Sequence, residues 1–502
     1  MNLAFTVLTV GAARANAGPM FDLRPVGYVI GLLVTMLGAA MLLPLLIDLS
    51  EGLGHWPAFA ESAMITMLVG GILSLSCANA VRQGLTIQQT FLLTTGVWLM
   101  LPVFGALPFV FGATEARYVD AFFEAMSGLT TTGSTVFSGL ETLPKGLLLW
   151  RGILQWLGGI GIIVVAMVFL PELRVGGMQI FRSEGFDTFG KILPRATEIS
   201  SRISVIYLTL TLVCAFAYLS SGMDPFDATV HAMTTVATGG FATHDASFAA
   251  FPAASEYVAT VFMLLAALPF VRFVQLSAGS AKPLFQDTQI RAFFGTAIVI
   301  VVLIAGWNLT QGGEVVSELT VRKALFNSVS LLTGTGYAST DYMQWSSFAI
   351  AILFFTGLIG GCAGSTACSI KVFRYQLLFA SIRAQLRKTR SPHGIFTPRY
   401  AGRPVGDDVL NSVMSFFMFF IVTFGVIAVL LGMTGLDFTT SVSGAAAALA
   451  NIGPGLGDQI GPAGNYAGLN DPAKWLLSAA MLIGRLELMA VYAILTVQFW
   501  RA

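Results

Sequence analysis

Four short segments each place hydroxyl and amide groups around a glycine: Leu-Thr-Thr-Thr-Gly133-Ser, Val-Ala-Thr-Gly-Gly240-Phe, Leu-Thr-Gly-Thr-Gly336-Tyr and Leu-Ala-Asn-Ile-Gly453-Pro. A cation leaving water needs replacement oxygens, and rings of backbone carbonyls supply them without burying a fixed charge. Glycine suits such a strand because a backbone that turns its carbonyls to one axis visits angles that a side chain disfavours. The candidate cation ligands are therefore Thr131, Thr132 and Gly133; Thr238, Gly239 and Gly240; Gly334, Thr335 and Gly336; and Asn451, Ile452 and Gly453. Ser134, Phe241, Tyr337 and Pro454 follow directly.

The elements that position these segments repeat as well. The thirteenth residue before each glycine opens Asp120-Ala-Phe-Phe-Glu-Ala-Met, Asp227-Ala-Thr-Val-His-Ala-Met, Lys323-Ala-Leu-Phe-Asn-Ser-Val and Thr440-Ser-Val-Ser-Gly-Ala-Ala, aligned without a gap. The chain reads as an internal fourfold repeat. Each segment follows about 11 moderately apolar residues, too few to cross a bilayer as helix. Non-helical backbone at membrane depth is tolerated only inside protein or along a water-filled cavity, so four re-entrant loops predict a pore between the repeats. The short helices aim their negative C-terminal ends at it, which favours a cation.

With 55% hydrophobic and 11% charged residues in 502, and a mean hydropathy of +0.78, the chain lacks the polar side chains a soluble protein of this size needs. Ten apolar stretches of spanning length lie near 26–47, 62–80, 89–111, 147–170, 203–221, 256–276, 292–307, 347–376, 409–432 and 475–499. The expected fold is an all-α polytopic membrane protein: two N-terminal transmembrane helices, then four helix–pore-loop–helix repeats around a central pore. The divisions fall at 1–85 (preface), 86–172 (repeat 1), 173–278 (cytoplasmic linker and repeat 2), 279–378 (repeat 3 with a broken inner helix) and 379–502 (basic linker and repeat 4).

Basic residues collect in alternate loops, and placing both termini in the cytoplasm puts 20 of 27 inside. The same topology puts 16 of 26 acidic residues outside against six basic ones, a net of about −10 that would concentrate cations at a pore mouth; Asp120, Glu124, Asp245 and Glu318 are among them. The first 20 residues, with Ala4 to Val10 apolar and no preceding base, read as a loose cytoplasmic end. Two cytoplasmic connections, Pro171 to Arg202 and Tyr375 to Asp408, carry basic runs suited to anionic lipid head groups or to a partner.

Two features lie off the repeat. Gly357-Leu-Ile-Gly-Gly-Cys-Ala-Gly-Ser-Thr366 is poor helix material inside the third inner span, and an uncoiled segment there would obstruct the ion path below the filter. Arg485 stands ten residues into the last span, about 15 Å down at 1.5 Å per residue, where a charge is costly and usually functional. It is expected to face the cavity as a positive barrier, since Glu487 at i+2 lies on another side of a helix. The four histidines read as capping or solvated groups, and Cys77, Cys214, Cys362 and Cys368 have neither metal-ligand nor paired extracellular spacing. No triad, zinc site, dinucleotide fingerprint or P-loop is present in the sequence, so an enzyme or a nucleic-acid-binding protein is not expected.

These residues resemble the Trk/Ktr/HKT superfamily of potassium transporters, and within it the TrkH type, over nearly the whole chain. The likeness rests on the four glycine segments, Gln155-Trp-Leu-Gly-Gly-Ile-Gly-Ile162, Val175-Gly-Gly-Met-Gln179, Ala242-Thr-His-Asp245, Gly360-Gly-Cys-Ala-Gly-Ser-Thr366 with Lys371 and Arg374, and Gly484-Arg-Leu-Glu487. The resemblance implies a homodimer in the bacterial inner membrane, one pore per subunit, K⁺ as transported substrate, and no cofactor in this chain. It implies a gate built from Gly360, Gly361, Gly364, Ser365 and Thr366 with Lys371, Arg374 and Arg485, and a filter glycine in every repeat. In that family a serine at the first glycine goes with sodium permeation, so Gly133 favours potassium. Ala367-Cys368-Ser369 departs from the Gly-Gly-Gly that related chains often carry, which bears on how freely the gate moves. A cytoplasmic nucleotide-binding regulatory ring of the TrkA type is implied in trans. The expected function is gated potassium uptake driven by the membrane potential; the alternative is a proton- or sodium-coupled symporter of the same fold.

Overall fold

The computed structural model describes residues 22–52, 54–80, 85–165, 177–178, 196–312 and 317–501. The N-terminal stretch through Val10, and most of the connection from Pro171 to Arg202, lie outside these residues; of its Val175 to Gln179 motif only Gly177 and Met178 are described.

The described chain is helical apart from one hairpin, Arg399–Tyr400 paired antiparallel with Arg403–Pro404, which qualifies the all-α expectation. Seven helices are long and apolar enough to cross a membrane: Arg24–Ser50, Trp56–Cys77, Ile87–Phe111, Lys145–Val164, Ser200–Ser220, Thr288–Trp307 and Asp407–Met433. An eighth, Ala253–Ala266 with Phe270–Ser277, is bent by 89°. Pro269 sits in the break, where it cannot donate an amide to continue the helix. The remaining two apolar stretches are interrupted. Ser347–Ile359 stops at Gly360 and the chain re-enters helix only at Val372, while Asp471–Arg485 is separated from Met489–Ile494 by Leu486, Glu487 and Leu488.

Burial sorts the helices by position. Lys145–Val164 is 72% buried over its apolar window, whereas Ser200–Ser220, Thr288–Trp307 and Asp407–Met433 are each 28% buried, so the first lies against protein and the others present Val205, Phe216, Val302 or Ile421 outward to lipid. The two N-terminal helices pack through small residues. A Cβ on Gly31 would lie 2.5 Å from the Ser74 amide nitrogen, and one on Gly70 would lie 2.6 Å from that of Thr35.

Four shorter helices, Tyr118–Leu129, Pro225–Val236, Glu318–Leu332 and Phe438–Ala450, are 12, 12, 15 and 13 residues long. Three begin on a side-chain cap: Asp224, Ser317 and Asp437 accept amide hydrogens from Phe226, Thr320 and Thr440. All four end in one turn. The amide of the residue just before the glycine reaches back five residues, Thr132 to Ser127 O (2.8 Å), Gly239 to Thr234 O (2.8 Å), Thr335 to Ser330 O (2.9 Å) and Ile452 to Ala447 O (3.0 Å). The preceding residue takes the left-handed conformation that such C-terminal caps use, at Thr131 (φ 51°), Thr238 (φ 50°), Gly334 (φ 74°) and Asn451 (φ 52°).

Candidate ion pathway

The four glycine segments meet. Gly133, Gly240, Gly336 and Gly453 all line one cavity, and all have positive φ, between 81° and 97°. A Cβ on Gly133 would stand 2.3 Å from Gly239 O, on Gly240 1.9 Å from Thr335 O, on Gly336 1.9 Å from Ile452 O, and on Gly453 2.9 Å from Thr132 O. Each glycine thus abuts the carbonyl preceding the next glycine, and the fourth contact returns to the first segment. The contacts close a ring, and glycine is required in it both for conformation and for space.

Different side chains hold each segment from behind. For the first, Glu124 accepts from the Val136 amide (2.9 Å) and Thr135 Oγ1 (3.0 Å) and pairs with Arg151 Nε (2.8 Å). Arg151 also donates to Ala242 O (2.7 Å) and lies over the Phe241 ring, which ties the second segment to the same helix. Gln155, one turn on, donates to Gly239 O (2.6 Å) and accepts from the Phe241 amide (3.0 Å). The third is fixed by Ser330 Oγ donating to Tyr337 O (2.7 Å), by Lys323 Nζ donating to Ser339 O (2.7 Å), and by Glu256, which pairs with Lys323 (2.8 Å) and Arg322 (2.6 Å). In the fourth, Ser134 Oγ (2.8 Å) and Tyr466 OH (2.7 Å) both donate to Gly453 O. Asn451 Nδ2 donates to Thr132 Oγ1 (2.9 Å) and Met481 O (3.0 Å).

Several of these groups correct the sequence reading. Glu124 is fully buried and neutralised by Arg151, and Asp120 binds Lys474 Nζ (2.6 Å) and Arg117 (3.0 Å), so neither is a free surface charge feeding the mouth. Arg151 and Glu256 are buried ionic groups that a composition scan of the spans passes over, because each is matched by a partner 27 or 66 residues away. His231 is neither capping nor solvated: it is buried, its Nδ1 lies 2.8 Å from Asp227 O, and its ring packs on Phe251 and Phe248.

The glycine-rich interruption lies on the other side of the ring from the cavity. Thr131 Oγ1 is 3.8 Å from Cys368 Sγ, a Cβ on Gly334 would be 3.6 Å from the Cys368 amide, and Ser369 N donates to Ala450 O (3.1 Å) at the end of the fourth short helix. The loop is held on the bend of the second inner helix, whose broken ladder frees carbonyls. Cys362 N donates to Ala267 O (3.0 Å), Thr366 Oγ1 to Ala266 O (3.0 Å), and Gly364 O accepts from Phe270 N (2.9 Å). Gly360 (φ 79°), Gly364 (φ 75°), Ser369 (φ 66°) and Lys371 (φ 76°) carry the turns, and Gly361, Ser365 and Thr366 are buried within it.

Arg485 does not sit mid-helix. It is the last helical residue, and Glu487 beyond it adopts φ 58°, so the two side chains diverge. Arg485 donates to Cys368 Sγ and lies near Thr366 O (3.4 Å) and Gly158 O (3.3 Å), which brings it to the loop beneath the ring. Glu487 pairs instead with Arg374, and with Lys371 at 3.6 Å. All four are buried, so three cations and one carboxylate share this level.

Helices long and apolar enough to span a membrane, with four short helices ending at one shared cavity, have the architecture of a membrane transport protein, the class to which the relatives of this chain belong. The family model for the cation transport protein TrkH matches residues 55–499. The chain belongs to that family. It is 43% identical over 479 residues to the Trk system potassium uptake protein TrkI of Halomonas elongata, covering 95% of this chain and 97% of the relative. It is 36% identical to the Trk system potassium uptake protein TrkH of Escherichia coli K12, over 95% and 99% of the two chains. The crystal structure of the potassium transporter TrkH from Vibrio parahaemolyticus superposes with a TM-score of 0.86 at 33% identity, covering 96% of this chain and all of that one.

Proposed function

We propose that this protein is the membrane-embedded subunit of a potassium uptake system, passing K⁺ through a gated, selective pore. The observation that carries the reading is the closed ring of Gly133, Gly240, Gly336 and Gly453, in a chain whose relatives are named as potassium uptake proteins. Thr131, Thr132, Thr238, Gly239, Gly334, Thr335, Asn451 and Ile452 complete the filter. Their carbonyls replace water around the ion while the C-terminal ends of the short helices favour its charge. Entry is driven by the membrane potential, worth about 2.3 kcal/mol per charge per 100 mV.

Counted with its bent and interrupted members, the bundle crosses the inner membrane ten times as a two-helix preface and four repeats, with both termini in the cytoplasm. The Gly360–Lys371 loop is the gate and Arg485 a positive barrier within it. The subunit works as a homodimer, in contact with anionic lipid, under a nucleotide-binding regulatory ring that docks on the basic cytoplasmic connections.

The test is a reversal potential in reconstituted bilayers across a K⁺/Na⁺ gradient, for the intact protein and for Gly133→Ser. Reversal near the potassium equilibrium potential, collapsing toward sodium in the variant, is the expected result. Absence of current, with uptake that follows an imposed proton gradient, would replace the pore by a coupled symporter.

A further inference from the structure

We infer that Gln155 is a specificity-determining positioning residue, whose side-chain amide takes the place of the filter side chain missing from the second segment; this rests on the filter reading above. At the position before the ring glycine, three segments carry side chains, Thr132, Thr335 and Ile452, and the second carries Gly239. Gly239 is not among the residues with positive φ, so backbone conformation does not demand glycine there. Space does. A Cβ on Gly239 would stand 2.3 Å from Gln155 Cδ, 2.4 Å from Oε1 and 2.8 Å from Nε2.

The amide occupies that volume and bonds on both sides of the glycine pair, donating to Gly239 O (2.6 Å) and accepting from Phe241 N (3.0 Å). Among the described residues, Gly239 O is the one carbonyl of its ring level that accepts a side-chain hydrogen bond. A carbonyl engaged by an amide donor has less lone-pair density and less freedom to offer an ion, so this level presents three equivalent oxygens and one restrained oxygen. Arg151, one turn earlier on the same helix, fixes Ala242 O (2.7 Å) and reaches the first segment through Glu124. Gln155 therefore acts from behind the second segment, bonded to its backbone and outside the lining of the cavity that the ring glycines share.

The experiment measures K⁺/Na⁺ reversal potentials of the full-length protein in bilayers, at matched abundance and melting temperature. Gln155→Met conserves length and bulk but forms neither bond, and the K⁺/Na⁺ permeability ratio should fall roughly fivefold to tenfold with conduction retained. The pair Gln155→Ala with Gly239→Thr gives the second segment the arrangement of the first and third, and should recover selectivity relative to Gln155→Ala alone. A Gln155→Met protein that reverses at the wild-type potential overturns the inference, as does a double variant no better than Gln155→Ala. Should the Met variant fail to accumulate, the double variant carries the test. A wild-type protein that does not discriminate K⁺ from Na⁺ defeats the pore reading instead, whatever the variants do.

Discussion

The ring and the inner helices beneath it obey different rules. At the ring, four segments of unlike sequence share one backbone: a five-residue return bond, a left-handed residue, one intervening residue and a positive-φ glycine against the next carbonyl. Below it, the helices that follow the segments diverge. Lys145–Val164 is unbroken, Ala253–Ala266 meets Phe270–Ser277 at an 89° bend, Ser347–Ile359 gives way to a 12-residue loop, and Asp471–Arg485 ends on a buried charge cluster. Recognition of a near-spherical ion asks for near-equivalent oxygens, whereas opening and closing asks for one element that differs from the rest. On the proposed function, these two demands fall at successive levels of the chain.

The largest effects should come from the ring. Gly240→Ala and Gly336→Ala meet a carbonyl at 1.9 Å and should abolish potassium-limited growth rescue, with Gly133→Ala next and Gly453→Ala, at 2.9 Å, the mildest. A different order among the four, measured as ⁸⁶Rb⁺ uptake, would break the account in which ring closure sets tolerance. Next is Glu124→Ala, which strands Arg151 in a buried site and should cost about 3–5 kcal/mol of stability in detergent unfolding. Adding Arg151→Met should recover part of that loss. Below the ring, Glu487→Gln leaves Lys371 and Arg374 without their shared carboxylate, and open probability in single-channel records should shift while the reversal potential does not. A changed reversal potential there would erase the separation of the two levels. The smallest effect belongs to Asp437→Ala, which removes the cap of the fourth short helix and should cost about 1 kcal/mol with uptake retained.

The ring was legible because glycine type, spacing and the surrounding apolar stretches point the same way. Thr131, Thr238, Gly334 and Asn451 all fell in the expected segments, and the loop from Gly360 to Thr366 interrupts the helix where its composition says it should. Contacts between distant residues were not legible. Nothing near Glu124 announces Arg151, and nothing near Glu256 announces Lys323. The end of the last long helix was also missed, since Leu482 through Met489 keeps an apolar pattern straight across the left-handed Glu487 and hides the turn that separates it from Arg485. The stretch 256–276 reads as one span in spite of Pro269, and the 89° bend there, which leaves the Ala266 and Ala267 carbonyls open to donors from the glycine-rich loop, is a contact between segments about 100 residues apart.

Because one chain supplies all four segments of the ring, each can be rewritten alone. In an assembly of identical subunits a single codon change alters four positions together, and an intermediate with one altered position does not exist. Here Gly239 stands where its counterparts are Thr132, Thr335 and Ile452, and a glutamine from another helix fills the space beside it. A change in one quarter of such a ring can be matched by a single neighbouring side chain, with the other three quarters left as they are.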